Sequence, residues 1–231
     1  MNPPITEYRK FLFFCAVGSP YIVSLLVVCC AATFLGLRSP KPLLIGAAVL
    51  LWAIFAEVCY FFRDPQRDAP HDSRIIVAPA DGKIIGIRPE REESFMHGEC
   101  VRISIFMNIF SVHVNRAPVT GRVTYCHYNP GKFISAFKEK ASLDNEQVLL
   151  GLVKEENGKE EMKVLIKLIA GLIARRIVVW KGLKTIVSQG ERISLIKFGS
   201  RVDVYLPLHV TVSAKEGDWV RAGESVIGII P

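Results

Sequence analysis

Two apolar stretches near the start of the chain constrain its folding more than any other feature. Phe11 to Leu37 carries no charged residue, and Pro42 to Phe62 carries one, Glu57, close to its end. Each is long enough to cross a bilayer as a helix, which takes roughly 20 residues. Arg38-Ser39-Pro40-Lys41 separates them as a short polar turn. A signal peptide is the rival reading of the first stretch. It lacks a clear small-residue cleavage site, and a second apolar stretch follows at once. The pattern predicts a helical hairpin inserted in the membrane, in preference to two helices lying on its surface. Pro20 predicts a kink in the first helix. Arg9 and Lys10 precede the hairpin, Arg63 and Arg67 follow it, and only Arg38 and Lys41 lie between. That asymmetry places both ends in the cytoplasm and the rest of the chain at the cytoplasmic face of the cell membrane. Glu57 sits where a carboxylate can reach the headgroup zone, so it is assigned no function.

The 231 residues suit one catalytic-sized domain after the hairpin, with boundaries at 1–62 and 63–231. The formal net charge is +7. No zinc-finger spacing and no long Lys/Arg run beside aromatics is present, which argues against nucleic acid. Beside a membrane hairpin, anionic lipid headgroups are the simpler partner for the charge. Four of the six cysteines (Cys15, Cys29, Cys30, Cys59) lie in the apolar stretches, leaving Cys100 and Cys126 with no CxxC. A disulfide framework and a structural zinc site are both disfavoured, as suits a reducing cytoplasm.

After a polar linker from Arg63 to His71, the chain reads as mainly β (α+β overall), with short strands and frequent turns. Strands are predicted at Ile75–Val77, Lys83–Ile87, Val101–Phe106, Ser111–Asn115 and Arg122–Tyr128. Further candidates are 146–153, 161–169 and 173–180, with a hairpin turn over 155–160 and a loop or short helix over 133–140. The stretch from Gly190 to Pro207 alternates like a strand on both sides of Gly199-Ser200: Ile193 and Leu195 before it, Val202, Val204 and Leu206 after it. By itself such a pair reads as a tight turn or a bulge.

Its neighbours change that reading. Several blocks occur in order: Phe61-Phe62-Arg63-Asp64-Pro65, Ala78-Pro79-Ala80-Asp81-Gly82, Phe106-Met107-Asn108, Val112-His113-Val114-Asn115-Arg116 with Pro118, and Gly131-Lys132-Phe133. Lys140-Ala141-Ser142 with Asn145-Glu146, then residues 171–177, and Phe198-Gly199-Ser200-Arg201 complete them. Together they resemble the phosphatidylserine decarboxylases of the short, Phe-Gly-Ser-Arg type, over roughly residues 60 to 231. The C-terminal run Val212–Gly228 looks like half of a biotinyl/lipoyl-type hammerhead, a barrel-sandwich hybrid, and Ala78–Ile87 looks like the other half. The resemblance implies that the halves pair and bring Asp81 near Ser200.

The resemblance implies a pyruvoyl enzyme that makes its own cofactor. Ser200 Oγ attacks the Gly199 carbonyl to give an ester. Elimination leaves a dehydroalanine, and hydrolysis with loss of ammonia leaves pyruvoyl at position 200. Two chains result, a β chain 1–199 and an α chain 200–231, which stay together as a heterodimer; a higher oligomer is left open. The pyruvoyl ketone condenses with the amine of phosphatidylserine, CO2 leaves, and reprotonation gives phosphatidylethanolamine. No PLP fold is suggested by the residues.

A serine hydroxyl is a weak nucleophile and needs a base. The resemblance points to Asp81 and His113 for the acid–base work. Long-form decarboxylases carry two histidines three residues apart here, whereas this chain has His113 and then Arg116. His113 matches the first, which is linked to decarboxylation. Either Asp81 acts directly on Ser200 or His113 serves both steps. Lys132, Lys140, Arg175 and Arg176 are the candidates to meet phosphate or carboxylate on the substrate. No metal is implied. Two rivals remain: the same chemistry on another seryl phospholipid, such as archaetidylserine, and a non-enzymatic membrane adaptor with a hammerhead barrel.

Overall fold

The computed structural model describes residues 10–11, 14–70, 72–131, 145–156, 159–171, 176–197 and 200–231. By internal contacts it divides into two compact units, Tyr8–Pro65 and a larger one that holds Gln66–Pro231.

The smaller unit is helical. A two-residue ladder of β1 (Lys10–Phe11) and β2 (Phe14–Cys15) leads into α1 (Ser19–Arg38), and α2 (Pro42–Phe61) follows. Both helices have 20 residues, about 30 Å at ~1.5 Å per residue, which matches a hydrocarbon core. Most of their large apolar side chains are exposed, Leu37, Leu43 and Val49 among them, as expected of surfaces that meet lipid. The two helices touch through Trp52, whose Nε1 donates to Thr33 Oγ1 at 3.1 Å. Below them Tyr21 stacks on Phe62, with ring centroids 5.6 Å apart. Pro20 does not kink α1. The helix begins at Ser19, so Pro20 falls in its first turn, where the missing N–H would have no intrahelical partner in any case.

The larger unit is all β among its described residues. In chain order it contains β3 (Ile75–Val77), β4 (Gly82–Glu92), β5 (Gly98–Met107), β6 (Val114–Arg116), β7 (Gly121–Asn129), β8 (Gln147–Glu156) and β9 (Lys159–Ala170). Then come β10 (Ile177–Val179), β11 (Ile186–Val187), β12 (Arg192–Ile196), β13 (Ser200–Pro207), β14 (Thr211–Val212), β15 (Trp219–Val220) and β16 (Val226–Ile229). An eight-stranded antiparallel sheet runs β11-β7-β8-β9-β13-β5-β4-β15, and two three-stranded sheets run β10-β12-β6 and β14-β16-β3.

Most predicted strands are present and several are longer. β8 and β9 pair antiparallel, and residues 155–156 and 159–160 of the expected turn belong to these strands, with Glu156 opposite Lys159. The segment Ser111–His113 is not strand, because Ser111 N–H closes a turn onto Asn108 O and pairing starts only at Val114. The loop or short helix expected over 133–140 lies outside the described residues.

Alternation along the central strands sorts side chains onto two faces. Val202, Val204 and Leu206 on β13 join Ile103, Ile105 and Met107 on β5 and Val164, Ile166 and Leu168 on β9 in the main core. On the other face Phe95, Cys100, Leu149, Leu165 and Tyr205 form a second cluster. Gly151 serves that cluster, since a Cβ there would fall 2.7 Å from the Phe95 ring. The two hammerhead-like halves pair with each other: β15 lies along β4 with Trp219 opposite Lys83, and Ala78 N–H donates to Ser225 O at 2.8 Å; β16 also lies along β3, just before the first half.

Candidate functional site

Ser200 opens β13, in the middle of the large sheet. It pairs with Met107 on one side and Ala170 on the other, and it is fully buried. Its parity with Val202 and Val204 turns it to the core face. There its Oγ donates to Met107 Sδ at 3.2 Å. The row continues past Ala170, whose N–H donates to Glu146 O at 2.9 Å. Asn145 Nδ2 donates to Ala170 O at 2.7 Å. Glu146, which immediately precedes β8, and Ala170, Ser200 and Met107 therefore lie side by side in one row.

Glu146 is buried, and it shares the parity of Val148, Leu150 and Leu152, which are core residues. Burial pushes its carboxyl above the usual range, opposed by a hydrogen bond from Ile177 N–H and by the nearby Arg176 charge. Tyr128 sits close enough to feel Glu146: burial first, then the carboxylate, push its hydroxyl up. The Ile177 amide belongs to β10, in the three-stranded sheet β10-β12-β6, so the Glu146 carboxyl reaches across to a second sheet.

His113 approaches from that second sheet. It is fully buried, and its carbonyl accepts from Ile196 N–H at 3.4 Å, close to the residues that lead into Gly199-Ser200. Its Nδ1 lies 2.9 Å from Ser111 O. A carbonyl can only accept, so Nδ1 carries a proton; in the neutral imidazole Nε2 is the accepting nitrogen.

Asp81 lies on the other side of β5 from Ser200: Lys83 pairs with Phe106, and the next residue, Met107, pairs with Ser200. The close approach of these strands requires Gly82, where a Cβ would meet Phe106 O at 2.1 Å. Both Asp81 carboxylate oxygens are engaged. Oδ2 accepts from Arg67 Nη2 at 2.8 Å, and Oδ1 accepts from Ala222 N–H at 2.7 Å. Arg67 also reaches Glu224, at 3.1 Å. Asp81 thus ties the linker to both hammerhead-like halves.

Of the remaining candidates, Gly199, Lys132, Lys140 and Arg175 lie outside the described residues. Arg176 is described and exposed, beside Glu146, and its carbonyl accepts from Lys197 N–H at 3.2 Å. Arg116, where a second histidine would fall, is buried, and its Nη1 donates to Gly190 O at 2.9 Å. A cleft of about 620 Å3 opens beside it, lined by Arg67, Asp72, Gln189 and Arg192 among others; it holds none of Ser200, His113 and Glu146. Among the described residues, no group of His, Cys, Asp and Glu is placed to hold a metal ion.

Sequence reasoning missed two features. Glu146 was visible only as part of a motif, because its nearness to Ser200 is a matter of strand order. Arg201 and Asp203 alternate with apolar residues, which reads as a solvated face. Instead they form a buried ion pair, with side chains 2% and 0% exposed.

Comparison with known proteins agrees with the motif order. A family model described as phosphatidylserine decarboxylase matches residues 54–228. The phosphatidylserine decarboxylase proenzyme of Syntrophus aciditrophicus is 41% identical over 216 residues, covering 94% of this chain and 97% of that protein. The proenzyme of the same name from Desulfotalea psychrophila is 48% identical over 171 residues, 74% of this chain and 78% of its own length. That of Geobacter metallireducens is 40% identical over 216 residues, 94% of this chain and 96% of its own.

Proposed function

This chain belongs to the phosphatidylserine decarboxylase family of carboxy-lyases, and we propose that it converts phosphatidylserine to phosphatidylethanolamine with a pyruvoyl group made from its own Ser200. The family is pyruvoyl-dependent. The single observation that carries the residue assignment is the placing of Ser200: a buried hydroxyl at the first position of a central strand, facing the core beside Met107 and Ala170.

Those surroundings fit the group. Conversion of serine to pyruvoyl replaces the hydroxymethyl by a methyl, and Met107 Sδ and the Ala170 methyl are apolar neighbours for it. Once formed, the group supplies an electron sink for a substrate amine. Everything else falls to the chain's own residues.

In maturation Ser200 Oγ attacks the Gly199 carbonyl carbon and loses its proton to a base. The Gly199–Ser200 C–N bond breaks, and the acyl group passes to oxygen. Elimination then releases Gly199 as a carboxylate, and water displaces ammonia from residue 200. His113, through an imidazole nitrogen, and Asp81, through its carboxylate, are the groups proposed for these proton transfers. After the break β13 stays in the sheet, because it is hydrogen-bonded to β5 on one edge and β9 on the other. The two chains, 1–199 and 200–231, form the heterodimer. In turnover Arg176, with Lys132, Lys140 and Arg175, meets the phosphate or carboxylate of the lipid. The two apolar helices associate with membrane and hold the domain, residues 63–231, at the cytoplasmic face of the cell membrane, where effective substrate concentration is high.

Intact mass of the purified full-length protein under denaturing conditions tests this reading. The expected result is two species split at Gly199–Ser200, the smaller lighter than its sequence by one ammonia. A single uncut chain that never matures in detergent or lipid would remove the cofactor and the mechanism with it.

A further inference from the structure

Four observations converge on one side of Ser200. Glu146 stands in the same row of the sheet, on the same face, with one residue between them. That residue is Ala170, which is fully buried and puts only a methyl group between the two side chains. Adjacent strands lie about 4.8 Å apart, so the Cα atoms of Glu146 and Ser200 stand roughly 10 Å from each other. The Glu146 carboxyl is fixed from a second sheet by the Ile177 N–H, with Arg176 next to it. Arg176 is exposed and Glu146 is not, so the pair leads inward from solvent with cation first and anion second.

A serine headgroup carries an ammonium and a carboxylate on one carbon, with a phosphodiester beyond. Its ammonium must reach position 200 and must shed a proton before its nitrogen can act as a nucleophile. We propose that Glu146 receives the headgroup ammonium and takes its proton, while Arg176 meets the headgroup's anionic end. The step balances: an N–H bond of the ammonium breaks, an O–H bond forms on the Glu146 carboxylate, and the nitrogen keeps the electron pair. The proton passes later to solvent. The inference rests on the reading of Ser200 given above and adds the element that distinguishes a seryl lipid from other anionic lipids. Burial supports the base role, because it raises the proton affinity of Glu146. Tyr128 from β7 and Arg176 before β10 are the titratable groups set against it.

The test uses the full chain in detergent micelles. In the uncleavable Ser200→Ala background, binding of short-chain phosphatidylserine is compared with short-chain phosphatidylglycerol, which is also anionic but has no amine. The expected result is at least a tenfold preference for phosphatidylserine, abolished by adding Glu146→Gln with phosphatidylglycerol binding unchanged. Glutamine keeps an oxygen to accept from Ile177 N–H, so the fold is retained. In the Ser200 background, Glu146→Gln is expected to self-cleave as fully as the parent by intact mass while phosphatidylethanolamine formation falls at least a hundredfold. Equal affinity for the two lipids in the parent, a preference that survives Glu146→Gln, near-normal turnover, or loss of self-cleavage would each overturn the assignment. A parent that never self-cleaves would instead sink the underlying reading of Ser200.

Discussion

Arg201 and Asp203, two residues apart on β13, close a two-bond fork on the face of the sheet opposite Ser200: Nε to Oδ1 at 2.8 Å and Nη2 to Oδ2 at 2.7 Å. Lys167 lies near enough for Asp203 to raise its proton affinity, although burial pushes the ammonium down by more. Arg102, on β5, holds Glu90 at 2.6 Å on the same face. The fork anchors Arg201, next to Ser200, and in the proposed maturation it holds the strand end that cleavage would create.

Asp203→Asn leaves Arg201 buried beside a neutral group. Breaking one partner of a buried pair costs about 3–5 kcal/mol. A clear fall in the thermal unfolding midpoint of the full chain in detergent is expected, together with slower self-cleavage. An unchanged midpoint would mean that the fork is not holding the strand.

Ser200→Ala removes the proposed nucleophile without enlarging the side chain. The protein is expected to run as one uncut chain with no phosphatidylethanolamine formed. Because the hydroxyl's partner is a thioether, a weak acceptor, folding stability should change little. Cleavage of this variant at residue 199 would exclude an ester route.

His113 allows its two ring nitrogens to be separated. In His113→Asn the amide NH2 can reproduce the bond to Ser111 O, but nothing replaces Nε2. The variant is expected to fold with a near-normal melting temperature and to lose about 10²- to 10⁴-fold in turnover, the usual worth of a general acid–base group. Intact mass then reports whether self-cleavage is lost as well, which decides whether His113 serves one reaction or both. Full turnover in a folded variant would leave the histidine with a packing role only.

Burial pushes the Cys100 and Cys126 thiols up from 9.0 to about 11. Both are protonated at neutral pH and should resist maleimide in the native protein while reacting readily once unfolded, as read by peptide mass mapping. The sign for stability follows. A pKa raised on folding gives stability that is complete below about pH 9 and is lost as pH climbs through about 11. Rapid labelling of either thiol in native protein at pH 7 would contradict the packing of the sheet around them.

Much of this was legible in the chain. Period-2 alternation around residue 200 announced a strand, and two apolar runs, one without charge and one with Glu57 alone, announced helices of membrane-spanning length. The mixing of short strands with turns announced a β-rich domain. Helix onset was less legible: the apolar run begins at Phe11, but α1 begins only at Ser19, where Pro20 fits the first turn. Strand limits around 111–116 depended on a turn through Asn108, which hydropathy does not reveal.

What the sequence by itself determined was local: which residues alternate, where charge is excluded, which serine follows a glycine in a family motif. Those properties depend on neighbours along the chain. The tertiary structure alone decided which residues share a row. Glu146 and Ser200 are more than fifty positions apart, and they come into one row, with Ala170 between them, because β8, β9 and β13 stand side by side in that order. It also decided that Arg201 and Asp203 are buried. Alternation assigns them to the face away from the core, but whether that face meets water or protein depends on what the rest of the fold lays against it.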